Sequence, residues 1–186
     1  DEALTPVEVA SIFAQALQDL GPLPPPDLLV TDDFTGPNGQ ALVTHNNAWQ
    51  MKNGALYIQS NTIRGNTANT GNIAAWTADT FDPDQSAQIS LVSRVTNGLG
   101  GPIVRCLSNT NFCAAIADTT GLYLFEIVAG DDALLGSAAA PANGDVIQLT
   151  AAAGNYAVYV NDVLQISAAA TLTTGQPGIY VYNNLS

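Results

Sequence analysis

Hydrophobic and polar residues alternate along most of the chain, and turn-forming stretches interrupt the alternation about every ten residues. The alternation is clearest in three runs near the C-terminal end, Val146–Ala151, Tyr156–Val160 and Val163–Ser167. Gly154-Asn155 and Asn161-Asp162 separate these runs. Because Gly, Asn and Asp tolerate a positive φ, such pairs favour tight hairpin turns. The pattern predicts an antiparallel meander.

The same alternation predicts strands from residue 28 to the end of the chain. They are a first strand Leu28–Phe34, a hairpin of Trp49–Met51 with Ala55–Gln59 around Asn53-Gly54, a short strand at Ile63 within the polar stretch Asn61–Gly71, strands Ile73–Trp76 and Ser86–Val95, hairpins of Ile103–Leu107 with Phe112–Asp118 and of Leu122–Ala129 with Ala133–Ala138, and a last strand Gly178–Tyr182. Many short strands with frequent turns are typical of sandwiches and jelly rolls. The predicted fold class is therefore an all-β, antiparallel jelly-roll sandwich, preceded by a short N-terminal helix.

The N-terminal helix is predicted over Thr5–Leu20. Thr5 can cap it, Pro6 suits its first position and Glu8 completes a capping box. Its apolar residues recur at helical spacing, and they are Val9, Ile12, Phe13, Ala16, Leu17 and Leu20. A helix of this length is marginal alone in water, so its apolar face must be buried against something.

A proline-rich spacer, residues 22–26, follows the helix and predicts two parts, an attachment segment 1–27 and a jelly-roll domain 28–186. We expect Val9, Phe13, Leu17 and Leu20 to attach the domain to a protein partner or to a second copy of the chain. Packing of the helix on its own β domain is the alternative.

Charge excludes two classes of partner. The chain has 16 acidic residues against 4 Lys and Arg, a net charge of −12. Binding to nucleic acid needs clustered cations, and so does binding to anionic lipid. No apolar run is long enough for a transmembrane helix. A polar β protein of this composition is expected outside the cell or on a virion surface.

The two cysteines, Cys106 and Cys113, flank a turn-forming stretch. If Ser108–Asn111 is a four-residue loop, the two cysteines face each other across the hairpin, close enough for a disulfide. We expect this bridge, and two buried free thiols are the alternative. The spacing does not fit a zinc site, since His45 is the only histidine.

Several segments together resemble a known family. They are Asp32-Asp33-Phe34, Trp49 before Gly54-Ala55-Leu56, Val104-Arg105 before Phe112-Cys113-Ala114-Ala115, Gly121-Leu122-Tyr123-Leu124, Gly144–Leu149, Val158–Val163 and Gly175–Ile179. In this order they are similar to a concanavalin A-like (laminin G-like) jelly-roll domain, over about residues 28–186. The resemblance implies a module of the kind found in secreted bacterial enzymes, adhesins and bacteriophage structural proteins.

Catalytic chemistry has little support in the sequence. Retaining glucanases of this superfamily carry Glu-x-Asp-x-Glu on one strand, and here Glu126 is the only glutamate of the β domain. The turn that holds Asp82 and Asp84, and the polar surroundings of His45, do not resemble catalytic motifs. We expect no catalytic residues. No ordered set of metal ligands appears either, although loop carboxylates leave a structural calcium open.

Glycan binding has five candidate residues, Trp49, Trp76, Arg94, Arg105 and Tyr123. Aromatic and polar side chains on a sheet or its rim are typical of sugar sites in this fold class, although core packing is the alternative for both tryptophans. The sequence therefore predicts a non-catalytic structural or interaction module, as in a virion decoration or fibre-type protein or an adhesin. A carbohydrate-binding lectin module and a glycan hydrolase or lyase are the alternatives.

Overall fold

The computed structural model describes residues 30–66, 70–92 and 98–183. The chain divides into two units, residues 1–32 and 33–186, and every described strand belongs to the second unit. The predicted helix Thr5–Leu20, the spacer and Arg94 lie outside the described residues.

The described part contains thirteen strands and one short helix. In chain order they are α1 (Leu42–His45), β1 (Trp49–Asn53), β2 (Leu56–Ile58), β3 (Ile63–Gly65), β4 (Thr70–Trp76), β5 (Gln85–Ser90), β6 (Leu99–Ser108), β7 (Asn111–Ala117), β8 (Leu122–Val128), β9 (Asp131–Ala138), β10 (Val146–Ala152), β11 (Asn155–Val160), β12 (Val163–Ala169) and β13 (Gln176–Asn183). None of the described helices is long and apolar enough to cross a membrane.

The strands form two principal antiparallel sheets. The seven-stranded sheet has the order β1-β4-β13-β6-β7-β8-β9, and the four-stranded sheet has the order β12-β11-β10-β5. A separate two-stranded sheet joins β2 to β3. The predicted all-β antiparallel fold class is confirmed.

The main core lies where the two principal sheets face each other. Alternate residues of β7 and β8, such as Ala115 and Leu124, pack there against Ile147, Leu149 and Val158 from the four-stranded sheet. Because strand side chains alternate between faces, one apolar row per strand is enough to build this layer. Fully burying each large aliphatic side chain contributes about 1.5–3 kcal/mol before ordering costs.

The C-terminal meander forms as the pattern predicts, with one shift. β10 pairs with β11, and β11 pairs with β12. The second turn is Asn161-Asp162, where both residues have a positive φ of 49° and 65°. The first turn is Ala153-Gly154 instead of Gly154-Asn155, because Ala153 adopts φ 48° and Asn155 already belongs to β11.

Two predictions upstream are wrong. No strand occurs over residues 30–34 of the expected first strand. Trp49–Met51 and Ala55–Gln59 do not form a hairpin, since β1 pairs with β4 and β2 pairs with β3. Asn53-Gly54 carries the chain from one sheet to another. The amide of Asn72 on β4 helps to fix this crossing, because its Oδ1 accepts the Ala55 N–H at 3.0 Å.

Candidate functional site

The face of the seven-stranded sheet that points away from the main core is itself apolar. We call it the outer face. Its side chains form a second hydrophobic cluster of Ile73, Ala75, Ile103, Cys106, Phe112, Ala114 and Ile116, with Leu99, Tyr123, Phe125, Ile127 and Tyr180 partly buried against it. The seven buried residues of this cluster are 0–6% exposed, so the outer face is a second packed apolar layer and not a solvated exterior.

Aromatic rings give the outer face its shape. Phe112 and Tyr180 are stacked, with ring centroids 6.1 Å apart, and Tyr123 lies 6.3 Å from Phe125. The Tyr123 hydroxyl is 2.9 Å from the hydroxyl of Thr120 in the preceding turn. Of the sequence-predicted glycan residues, Tyr123 is therefore the one that the described structure places on the outer face.

Trp49 and Trp76 lie inside the fold. They are cross-strand partners in β1 and β4, and their rings meet edge-to-face with centroids 5.2 Å apart. Phe34 packs against Trp49 at 6.2 Å. The indole N–H of Trp76 donates a hydrogen bond to Asp79 at 2.7 Å. Both tryptophans thus pack in the structure as the core alternative requires.

Arg105 is also an interior residue, with 3% of its surface exposed. Its Nε and Nη2 both donate to the Pro83 carbonyl, at 3.1 and 3.0 Å, and Nη1 donates to the Leu172 carbonyl. The guanidinium carbon lies 5.5 Å from the centroid of the Tyr156 ring. Its charge is satisfied by two loops and an aromatic face, which leaves little capacity for a ligand.

Glu126 belongs to the same interior network as Arg105, since both residues contact Tyr156, and it is 4% exposed. Its Oε1 accepts the Tyr156 hydroxyl at 2.7 Å and the backbone N–H groups of Thr171 and Leu172 at 3.0 and 2.8 Å. Its Oε2 accepts the Thr171 hydroxyl at 2.6 Å. Protein donors thus occupy both carboxylate oxygens.

Burial opposes ionisation of Glu126, but these hydrogen bonds outweigh it and hold the pKa of the carboxyl below its usual value of 4.5. Glu126 and Arg105 together fix residues 170–175, which lead from β12 to β13. The backbone at residue 175 passes so close to the backbone of Arg105 that it needs a glycine. A Cβ on Gly175 would lie 2.3 Å from the carbonyl carbon of Arg105.

The alternation of β8 separates Glu126 from the outer face. Tyr123, Phe125 and Ile127 point to the outer face, while Leu124 and Glu126 point into the sandwich. The single glutamate of the β domain is therefore on the side of the sheet opposite to the aromatic surface. A glycosidase needs two carboxyl groups flanking the scissile bond, and β8 offers none on its outer side.

The predicted disulfide is wrong, because Cys106 and Cys113 are buried free thiols. Val104 is opposite Cys113 and Ser108 is opposite Asn111, so Arg105, Cys106 and Leu107 face a single residue of β7. This irregularity includes Arg105 at φ 51°. It turns Cys106 to the outer face while Cys113 lies in the main core.

Burial raises the pKa of both thiols. The pKa of Cys106 rises to about 11, with Lys52 opposing the effect of burial. At Cys113 the negative charge of Glu126 adds to the effect of burial, and both raise the pKa of the thiol. Both groups are thus protonated at neutral pH and react poorly.

Metal ligands do not converge in the part of the chain that the structure describes, where no group of three or more His, Cys, Asp or Glu side chains could hold an ion. The loop carboxylate of Asp118 binds backbone N–H groups of its own turn instead of contributing to such a group. Its Oδ1 accepts the N–H groups of Thr120 and Gly121 at 2.7 and 2.9 Å. This carboxylate stabilises the turn between β7 and β8.

Comparisons with solved structures identify the fold. The carbohydrate-binding module CBM66 from Bacillus subtilis matches with a TM-score of 0.63 at 16% identity, covering 73% of this chain and 88% of that one. A Bacillus licheniformis beta-glucanase matches with a TM-score of 0.50 at 12% identity, covering 81% of each chain. No protein-family model matches the chain, and no curated protein sequence does. The domain has the concanavalin A-like jelly-roll fold that the sequence resembles.

Proposed function

We propose that this chain is a non-catalytic structural and interaction module of an extracellular surface assembly, such as a virion decoration or fibre-type protein or an adhesin. The observation that carries the proposal is the division of the seven-stranded sheet into two apolar faces, with Glu126 on the interior one. Both faces are lined by packed apolar side chains, and β8 places no acid on the outer one.

The chemistry of the outer face gives little support to a sugar as its ligand. Sugar sites combine exposed aromatic rings with several convergent polar groups. Here the apolar cluster is broad, and the hydroxyl of Tyr123 is engaged with Thr120. Arg105, Trp49 and Trp76 are buried in the interior.

Attachment is assigned to residues 5–20. Burying Val9, Phe13, Leu17 and Leu20 on a partner contributes roughly 6–12 kcal/mol before ordering costs, at about 1.5–3 kcal/mol for each side chain. That is enough to decide whether the domain attaches. The partner is another protein or a second copy of this chain.

Carbohydrate binding is the second candidate. It is supported by the fold shared with a carbohydrate-binding module and by the position of Tyr123 on the outer face. In this case Tyr123→Ala removes binding, while Tyr159→Ala on the four-stranded sheet leaves it unchanged.

Three measurements separate the candidates. If the chain is an attachment module, deleting residues 1–26 lowers its mass in solution to that of a monomer. The remaining domain keeps its melting transition. A lectin binds a glycan array with or without those residues. A hydrolase releases reducing ends from a polysaccharide. Glycan binding that persists in the deleted chain, together with an unchanged solution mass, would overturn the attachment proposal.

A further inference from the structure

Residues 170–175 join the four-stranded sheet to the seven-stranded sheet, and we call them the strap. The strap leaves β12 after Ala169, enters β13 at Gln176 and contains no strand residue. Its three threonines are exposed, and none of its six residues is buried. Ala170 packs against the main core as a partly buried residue. A segment with so little buried apolar area belongs to the least stable part of a fold.

Polar contacts hold the middle of the strap, and Glu126 makes most of them. The Thr171 N–H, the Thr171 hydroxyl and the Leu172 N–H donate to the Glu126 carboxylate at 3.0, 2.6 and 2.8 Å. Arg105 Nη1 donates to the Leu172 carbonyl. Hydrogen bonds to an ionised group are roughly twice as strong as those between neutral groups. The position of the strap therefore depends on the charge of Glu126.

The two ends of the strap are fixed separately. The Ala170 N–H donates to the Gly154 carbonyl at 2.9 Å, and the Gly175 carbonyl accepts from Gln85 Nε2 at 3.0 Å. Neither contact involves Glu126. Loss of the Glu126 hydrogen bonds therefore frees the middle of the strap, while its ends stay tied to the two sheets.

The ionisable groups that face Glu126 from the neighbouring strands keep their charge in acid. Tyr156 on β11 and Cys113 on β7 are neutral, because burial raises the pKa of both. Arg105 on β6 contacts the same Tyr156 ring and stays positive. Ala133, the partner of Glu126 on β9, carries no charge. Within this set, Glu126 is the group that changes its charge in acid.

We infer that the strap opens as a local unit, which the ionised carboxylate of Glu126 holds closed, so that neutralising Glu126 releases Thr171 and Leu172 while both sheets stay folded. Burial raises the pKa of Glu126, but the hydrogen bonds from the strap and from Tyr156 outweigh it and hold the pKa below 4.5. Opening removes the strap's hydrogen bonds, so the open state binds the proton more readily. The strap is thus held fully above pH 4.5 and released as the pH falls through the lower pKa of the closed state.

The test is hydrogen exchange of the Thr171 and Leu172 amides in the full chain at pH 7, in water and in low urea. The amides that pair β10 with β11 are measured alongside. Exchange through a local opening does not depend on urea, whereas exchange through global unfolding becomes faster. Low urea should therefore leave the strap amides unchanged and accelerate the β10–β11 amides. Equal protection and equal urea dependence of the two sets would overturn the inference.

Glu126→Gln should lower the protection of the two strap amides at pH 7 by about 10- to 100-fold, the change expected for lost hydrogen bonds to a charge. Their exchange should still not depend on low urea. Asp84→Asn is the matched control, because it removes the same charge from a carboxylate that is 4.0 Å from Arg105 Nη2 and 65% exposed. It should leave the strap amides as protected as in the unmodified chain. An equal loss in both variants would show that Glu126 is not what holds the strap.

Acid gives a second measurement of the same device. Between pH 7 and pH 3, the protection factors of the Thr171 and Leu172 amides should fall in the unmodified chain and in Asp84→Asn, and stay constant in Glu126→Gln. The same pH dependence in all three chains would overturn the inference. Attachment through residues 5–20 enters none of these results, so the strap and the proposed function can fail independently.

Discussion

Single charged residues, through their hydrogen bonds, organise the interior of this domain more than its apolar pattern suggests. Glu126 and Arg105 stand out in the sequence as charged residues within apolar strands. Their partners could not be identified there, because Thr171 lies 45 positions from Glu126 and belongs to a loop without a motif of its own. The requirement that a buried charge be satisfied can be read from a sequence, while the group that satisfies it depends on the folded topology.

Glu126→Gln should lower the free energy of unfolding by about 1–3 kcal/mol at pH 7, because an amide cannot accept hydrogen bonds on both of its terminal atoms. Urea unfolding at pH 7 measures this. The exposed Asp132→Asn variant, which removes the same charge from β9, is the control and should unfold like the unmodified chain.

The effect of Glu126 should also depend on pH. Its pKa is lower in the folded state than its ordinary value of 4.5, so its contribution is complete above that pH and is lost as the pH falls through the folded-state pKa. The stability difference between Glu126→Gln and the unmodified chain should therefore shrink in acid. A difference that stays constant from pH 7 to pH 3 would contradict an ionised Glu126.

The two thiols give a second test at the residue scale. Unfolded protein treated with an alkylating reagent in the absence of reductant should gain two alkyl groups, since Cys106 and Cys113 are not joined. Folded protein should gain almost none, because both thiols are buried and their pKa values are raised. Mass spectrometry reads both states, and an unmodified unfolded chain would mean that a disulfide exists after all.

At the scale of elements, local signals were reliable and distant ones were not. The β6–β7 and β8–β9 hairpins and the C-terminal meander are confirmed, since their strands are neighbours in sequence and their turns carry Gly, Asn or Asp. The proposed pairing of Trp49–Met51 with Ala55–Gln59 failed because β1 finds its partner in β4, beyond the two-stranded sheet. Alternation identifies a strand, but it does not say which strand lies beside it.

The Ala153-Gly154 turn makes opposite predictions at adjacent positions. Gly154 has φ 77° with open space where a Cβ would be, so Gly154→Ala should cost about 1–2 kcal/mol from backbone conformation alone. Ala153, at φ 48°, already bears that cost, and Ala153→Gly should be neutral or stabilise by up to about 1 kcal/mol. Thermal unfolding of the two variants checks the signs. If Ala153→Gly destabilises the domain, the result would contradict a turn at Ala153-Gly154 and would favour the Gly154-Asn155 turn that the sequence predicts.

For the whole molecule, composition and alternation predicted the jelly roll, because a chain of short alternating strands can bury its apolar rows only in packed sheets. Function was less accessible. The face on which an aromatic residue lies depends on sheet register, so Trp49 and Trp76 could not be assigned to the interior from sequence alone, nor Tyr123 to the outer face. The proposed attachment through residues 5–20 rests on the amphipathic pattern of that segment.

The most direct test of that attachment compares the full chain with its Phe13→Asp/Leu17→Asp variant, by thermal unfolding and by solution mass in the presence of the partner assembly. We predict that the variant no longer attaches, since two of the four anchoring side chains become charged, and that the melting temperature of the β domain stays nearly unchanged. A melting temperature lowered by many degrees would mean that the segment belongs to the domain core. Retained attachment would likewise contradict the account.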